Sequence, residues 1–220
     1  MEQSAKGGSG VQEARAEAES HLLEATEKLE TALEQGRALA MESSDGEEGM
    51  SLSGESTMAG ARAAAAAEAL VLLQLGRGQS MRAMNMREEA ETLLRTGAVL
   101  EHKQRLKEAL VLLRLSATHI RDSLAQDPEQ EEALRLWGEI LCAQADTLVA
   151  NPQQMADGSG GDGEAERCRI AGGEKLCSAF EISPSDVNRI ACSKFFVSNG
   201  TAAMERAREC PSDSSDVYEW

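Results

Sequence analysis

Between residues 11 and 41, Ala18, Leu22, Ala25, Leu29, Ala32, Gly36 and Leu39 recur at alternating spacings of four and three, with Glu and Lys on the remaining positions. That period lays one narrow stripe along a helix. Because half of the stripe is Ala or Gly, it predicts docking against neighbouring helices, not self-pairing. Residues 42–57, rich in Ser, Gly and acids, cannot bury enough apolar surface to order themselves and read as a flexible insertion. A second helix is predicted over 58–75, stopped by Gly76 and Gly78, and a third over 80–101. The polar run 102–105 reads as a tight turn before a fourth helix, 106–126, which Asp127-Pro128 ends because the residue before a proline is pushed out of the α region. Residues 129–149 form a fifth helix with acids in its first turn, as the helix dipole prefers. A Gly-rich flexible insertion at 151–163 follows. Helices are then predicted over 164–182, 186–197 and 201–209, separated by Ser183-Pro184-Ser185 and by a turn at 198–200. The organisation is a disordered N-terminus (1–10), a helical domain (11–210) and an acidic C-terminal tail (211–220).

Composition narrows the fold class to all-α: hydrophobic residues make up 41% of the 220 but aromatics only 3%, and the apolar part is mostly Ala and Leu, which favour helices over strands. Every aromatic lies in the last 84 residues, so the N-terminal helices must pack through Ala and Leu. The net charge of −16 is two acidic flanks, −9 over residues 1–60 (4 bases, 13 acids) and −9 over 129–220 (8 bases, 17 acids), around a centre of +2 (10 bases, 8 acids). Such a balance argues against nucleic acid and against an anionic membrane surface as partners. The first ten residues carry no apolar stretch for a signal peptide, and the apolar run 63–75 is too short for the roughly 20 residues of a membrane span. Five cysteines without a CxxC pair read as reduced thiols. A soluble, cytoplasmic protein is the expectation.

An internal repeat adds to this picture. Residues 68–75 (EALVLLQL) and 108–115 (EALVLLRL) agree in seven of eight positions, 40 residues apart, a period typical of stacked supersecondary units. Leu134, Gly138 and Leu141 have the Leu-x-x-x-Gly-x-x-bulky spacing, and Ala179 and Pro184 have the small-residue and proline spacing that closes such a unit. Leu93, Gly97 and Leu100, followed by Ala109, Leu113 and Ser116, repeat the pattern upstream. In these residues the chain resembles the tetratricopeptide-repeat family over residues 82–186, departing from it at Gly172, where the family has Ala, and in its insertions. The resemblance implies antiparallel helical hairpins stacked as a short α-solenoid, with Gly97 and Gly138 letting paired helices approach and Ala109 and Ala179 at tight crossings. It also implies a non-enzymatic interaction module that binds a partner protein or peptide in a groove lined by the first helices. Mapped on this sequence, the groove would present Glu91, Leu94, Ala98, Glu101, His102, Arg135, Glu139, Arg189 and Ser193. The Lys/Asn set with which chaperone-binding members clamp a carboxylate is missing, since Leu94, Ala98, Arg135 and Glu139 occupy those positions. Two alternatives use the same features: a permanently bound architectural subunit and an acidic, chaperone-like binder of basic proteins.

Chemistry-bearing residues do not assemble into a catalytic pattern. His21, His102 and His119 are far apart and in no HExxH or HxxxH spacing, the cysteines have no zinc-finger regularity, and there is no P-loop or GxGxxG. No catalytic residue, metal or cofactor is expected, and the oligomeric state stays open. Two features point to interaction. Arg77, Arg82, Arg87, Arg95, Lys103, Arg105 and Lys107 concentrate positive charge in one predicted hairpin, a solvated face or an intramolecular partner for the acidic first helix. The tail places Tyr218 and Trp220 among acids, as interface anchors often are.

Overall fold

The described residues form six helices, α1 (Gly7–Asp45), α2 (Gly54–Arg95), α3 (Val99–Gln126), α4 (Glu131–Ala150), α5 (Gly161–Ile182) and α6 (Asp186–Glu209), the first four rich in Ala and Leu, which lose little side-chain freedom in a helix. The computed structural model describes residues 7–45, 54–151 and 161–209, and among them there is no strand. Each helix packs on the next, and α4 also touches both α2 and α6. Successive helices run antiparallel. Gly76 meets Ser116 and Ile120, Gly138 meets Gly172 and Leu176, and Gly173 meets Phe195, while Ala90 meets His102 further along the α2/α3 pair.

The largest core cluster joins α2, α3 and α4 through Leu73, Ala83, Leu113, Ile120, Leu134 and Ile140, and a second joins α3, α4 and α5 through Leu110, Ala145, Leu148 and Ala165. Several polar groups between the helices are satisfied across them, although Gln79 Oε1 and Arg82 Nε in α2 are buried without a partner. Ser116 Oγ donates to the Gly76 carbonyl at 2.6 Å and Ser123 Oγ to that of Ala69 at 2.7 Å, while Gln144 Nε2 reaches the Leu113 carbonyl at 3.0 Å. Each such bond removes the penalty of a buried group left without a partner, about 1–3 kcal/mol.

Several predicted boundaries move. Gly76 and Gly78 do not stop a helix, and α2 runs through both. A helix-interior glycine costs about 1 kcal/mol against alanine, but at Gly76 the bare backbone lets Ile120 close over it, so that an added Cβ would lie 2.5 Å from Ile120 Cδ1. The turn lies at Thr96–Gly97–Ala98, not at 102–105. There Gly97 N–H bonds to Leu94 O at 3.1 Å and Ala98 N–H to Leu93 O at 2.9 Å, the Schellman pairing that needs a left-handed residue, and Gly97 supplies it with φ 83°. Gly97 therefore caps α2 and brings no helices together, and Leu93, Gly97 and Leu100 do not share a helix. The two copies of the eight-residue repeat lie on opposite arms of the α2/α3 hairpin, not on equivalent arms of successive hairpins. Residues 198–200 are helical within α6.

The expected disorder and insertions are shorter at their edges than predicted. Residues 7–10, 42–45, 54–57 and 161–163 are helical, because adding residues to a formed helix costs far less than starting one. Asn151 is buried, with Nδ2 3.5 Å from the Lys103 carbonyl. The rest of those segments, and the tail with Tyr218 and Trp220, lie outside the described residues. Other signals hold. Asp127-Pro128 ends α3. At 183–185, Ser185 Oγ accepts from Asn188 N–H at 3.3 Å as the N-cap of α6, and the buried Asn188 amide donates to the carbonyls of Ala179 (3.2 Å) and Ser183 (2.9 Å). Gly138 brings α4 and α5 together, and Ala109 and Ala179 are fully buried.

The stripe of α1 holds in part. Leu22 and Leu29 are half-buried as expected, but Thr26 (buried) and Leu33 (half-buried) take the inward positions expected of Ala25 and Ala32, while Ala18, Ala25, Ala32 and Gly36 face outward and Leu23 is exposed. Arg37 Nη2 of α1 pairs with Glu68 of α2 at 2.7 Å. His119 of α3 is half-buried, and burial pushes its imidazole below the ordinary value, opposed by the Glu30 and Asp122 carboxylates and reinforced by Arg37. The fold thus disfavours the imidazolium, so the stability His119 contributes is present above the unfolded imidazole pKa and is lost as pH falls below it. Glu30→Gln is expected to lower the His119 pKa further in an NMR titration. An unchanged titration would place α1 away from α3.

Candidate interaction cleft

Helical spacing brings side chains three, four and seven apart onto one face, and four helices turn such faces toward a common space. α2 contributes Ser80, Met84 and Arg87; α4 contributes Glu139, Cys142, Ala143 and Asp146; α5 contributes Arg169 and Leu176; α6 contributes Ala191, Lys194, Phe195, Ser198 and Asn199. The space is an open cleft of about 500 Å³, within the roughly 300–1,000 Å³ of ordinary ligand sites. Met84, Leu176 and Phe195 supply apolar surface. Phe195 also anchors α6 on α5, because Gly173 leaves the space its ring occupies: a Cβ there would lie 2.5 Å from two ring carbons. The ring meets Phe196 edge-on at 5.3 Å.

Charge is arranged around Asp146. Arg87 Nη2 lies 3.7 Å from Asp146 Oδ2 and Arg169 Nη2 lies 3.9 Å from Oδ1, while Arg169 Nη1 pairs with Glu166 at 3.2 Å. Both separations to Asp146 are ion-pair distances beyond good hydrogen-bonding range, so neither guanidinium is fully used by it. Glu139 is held by Arg135 at 2.8 Å. Asn199 Oδ1 is buried and has no hydrogen-bond partner. Burial first, then the Asp146 carboxylate, push the Cys142 thiol up to about 11; the group is a protonated, weakly nucleophilic lining atom at neutral pH. Its ordinary value lies near 9, so the fold favours the neutral thiol and loses that contribution as pH rises from 9 toward 11. Iodoacetamide at pH 8 is expected to label Cys142 much more slowly in the native than in the urea-unfolded chain, read by peptide mass spectrometry. Equal rates would contradict the burial.

The candidate residues read from the sequence are scattered. Glu139 lines the cleft, with Arg135 beside it. Arg189 and Ser193 lie on α6 along an adjoining shallow groove with Ile190 and Val197, which shares Lys194 and Ser198 with the cleft. Glu91 is exposed and pairs with Arg95, and Leu94 is exposed near the end of α2. Glu101 and His102 belong to α3, and His102 is buried, with Nδ1 2.8 Å from the Ala90 carbonyl. Moving the turn from 102–105 to 96–98 carries both residues to the next helix. Tyr218 and Trp220 lie outside the described residues. Of the cluster of bases, four pair with acids outside α1. Arg77 pairs with Glu132, Arg87 with Asp146, Arg95 with Glu91 and Arg105 with Glu89 and Glu108, all on α2 to α4.

Sequence reading missed Asp146, Arg169, Lys194 and Phe195. Their i, i+3, i+4 spacing along α4, α5 and α6 is a usable signal only once the helices are known to face one another. No group of three or more His, Cys, Asp or Glu among the described residues is placed to hold a metal ion, and no described helix is long and apolar enough to cross a membrane. The chain matches no protein family, no curated protein and no solved structure.

Proposed function

We propose that this chain is a non-enzymatic protein-interaction module, a tetratricopeptide-like stack of helical hairpins that binds a peptide segment of a partner protein in the cleft between α2, α4, α5 and α6. The observation that carries this reading is the cleft itself: it is open, lined mostly by apolar surface with Arg87, Arg169 and Lys194 among its residues, and walled chiefly by the alternate helices α2, α4 and α6. In stacked hairpins those alternate helices form the concave binding face. The lining favours a peptide that carries an apolar or aromatic side chain next to a carboxylate. Free cysteines, four among the described residues, suit a reducing compartment, and we assign the protein to the cytoplasm.

Panning a random peptide library displayed on phage against the full chain tests the reading. It is expected to enrich peptides with acid-flanked aromatic or leucine residues. Their affinity should fall at least about tenfold for Met84→Glu and Lys194→Glu, as truncation or reversal of a central contact does in other interfaces. Both side chains lie at the rim or half-exposed, so the variants should keep native helicity by circular dichroism. Enriched peptides that bind both variants as well as the parent, or no enrichment, would overturn it.

A further inference from the structure

We propose that the cleft has an occupant of its own, the segment Asp213–Trp220 of the same chain, folded back in cis from the end of α6. The inference rests on the reading of the cleft as a peptide site, and four observations lead to this segment.

The first is reach. α6 contributes Lys194, Phe195, Ser198 and Asn199 to the cleft and continues to Glu209. From Asn199 to Glu209 is ten helical steps, about 15 Å. Residues 210–220 follow directly, and eleven extended residues span about 37 Å, enough to come back with slack. The second is charge. The cleft has three bases (Arg87, Arg169, Lys194) against two acids (Glu139, Asp146) in a chain of net charge −16. One of those acids, Asp146, lies between two guanidinium groups and the other is held by Arg135. Residues 213–220 carry Asp213, Asp216 and Glu219 and no base.

The third is side-chain type. A site with Met84, Leu176 and Phe195 in its lining takes up flat aromatic side chains, through sulfur contacts and edge-to-face ring packing, and the segment holds Tyr218 and Trp220. The fourth is Asn199 Oδ1, a buried acceptor in the lining with no partner. Leaving it so is costly, and an indole N–H or a phenol O–H is the donor it lacks. A docked segment would make the site self-occupied, so that a partner peptide binds by displacing it.

Trp220 reports on this directly. The chain has two tryptophans, and Trp137→Phe in the full chain leaves Trp220 as the sole emitter. Its emission is expected to be blue-shifted, and its acrylamide quenching at least about threefold weaker than in a synthetic peptide of residues 213–220. Lys194→Glu or Met84→Glu should restore the peptide's values without loss of helicity. In the unsubstituted chain, the backbone amides of residues 213–220 should exchange with deuterium at least about threefold more slowly than in the Lys194→Glu variant, which keeps the test independent of Trp137. Peptide-like quenching in the parent overturns the proposal, as does protection that the cleft variants leave intact. Protection that grows with protein concentration also overturns it, because the segment then comes from a second copy. A free Trp220 alongside cleft-dependent library peptides would end this inference and leave the proposed function standing. A protected Trp220 with no cleft-dependent peptide would do the reverse.

Discussion

Gly138→Val is expected to destabilise the chain by about 3 kcal/mol, whereas Gly36→Ala should stabilise it by up to about 1 kcal/mol. The opposite signs come from what each new side chain would meet. A Cβ at Gly138 would lie 2.7 Å from Leu176 Cγ and 2.8 Å from the Gly172 carbonyl oxygen. Leu176 could change rotamer, but a backbone oxygen in mid-helix moves only if α5 moves. Relief therefore requires α4 and α5 to separate, and with them the reciprocal contact at Gly172, where a Cβ would lie 2.8 Å from Cys142 Sγ. Overpacking of this kind costs about 1–3 kcal/mol and more when backbone must shift, and valine's β-branching adds to it in a helix. At Gly36 nothing lies within 4 Å, so only the propensity gain of roughly 1 kcal/mol is left. Urea unfolding midpoints, at constant slope, read both. A Gly138→Val chain as stable as the parent would mean that the α4/α5 crossing is not this close. Because Cys142 also lines the cleft, the same variant should weaken library-peptide binding.

Gly138 was legible because its role is local: Leu134, Gly138 and Leu141 lie on one helix, and a small residue amid large ones marks a close approach. Gly76 and Gly78 were not, because the same residue type also signals a helix end, and the choice between the two is made by Ile120, forty-four positions away in sequence. The turn was misplaced for a related reason. His102 to Arg105 is polar enough for a loop, but His102 finds the Ala90 carbonyl and the other three lie on the outer side of α3 or at its edge, so the polarity is that of a helix surface. Gly97, the only non-helical glycine among the described residues with positive φ, was the true marker. In α1 the period was legible and so were Leu22 and Leu29, but Ala25 and Ala32 yield their inward positions to Thr26 and Leu33.

The cleft was less legible than the fold. Periodicity names the faces of single helices but not which faces meet, and Arg87, Asp146 and Arg169 come from three helices whose mutual register is a tertiary property. Of the residues mapped by family pattern, Glu139 lines the cleft, whereas Glu91, Leu94, Arg189 and Ser193 lie elsewhere on α2 and α6.

A double-mutant cycle at Gly76 and Ile120 should separate the continuous α2 from the broken helix that the sequence suggests. Ile120 is fully buried, and Ile120→Ala alone is expected to cost about 2–5 kcal/mol through lost burial and the cavity left behind. Gly76→Ala alone should cost about 1–2 kcal/mol: its Cβ would lie 2.5 Å from Ile120 Cδ1 and 2.7 Å from Cγ1, a clash larger than the gain in helix propensity. Together they should cost less than the sum by about 1–2 kcal/mol, because the methyl group added at position 76 enters the space that Ile120 vacates and the next neighbour, the Ser116 carbonyl oxygen, lies at a tolerable 3.2 Å. Coupling of that size is normal for residues in direct contact, whereas independent sites add to within about 0.5 kcal/mol. The Ser116 hydroxyl, which donates to the Gly76 carbonyl, holds the two helices at this spacing in every variant, so the coupling reports on side-chain overlap and not on helix separation. If α2 ended at Gly76 as a left-handed C-cap, alanine there would also cost about 1 kcal/mol, but that cost would be indifferent to residue 120. Additive unfolding free energies would therefore reject the close crossing of α2 and α3. A favourable coupling would tie Gly76 to that crossing as the reason a glycine occupies the middle of a 42-residue helix.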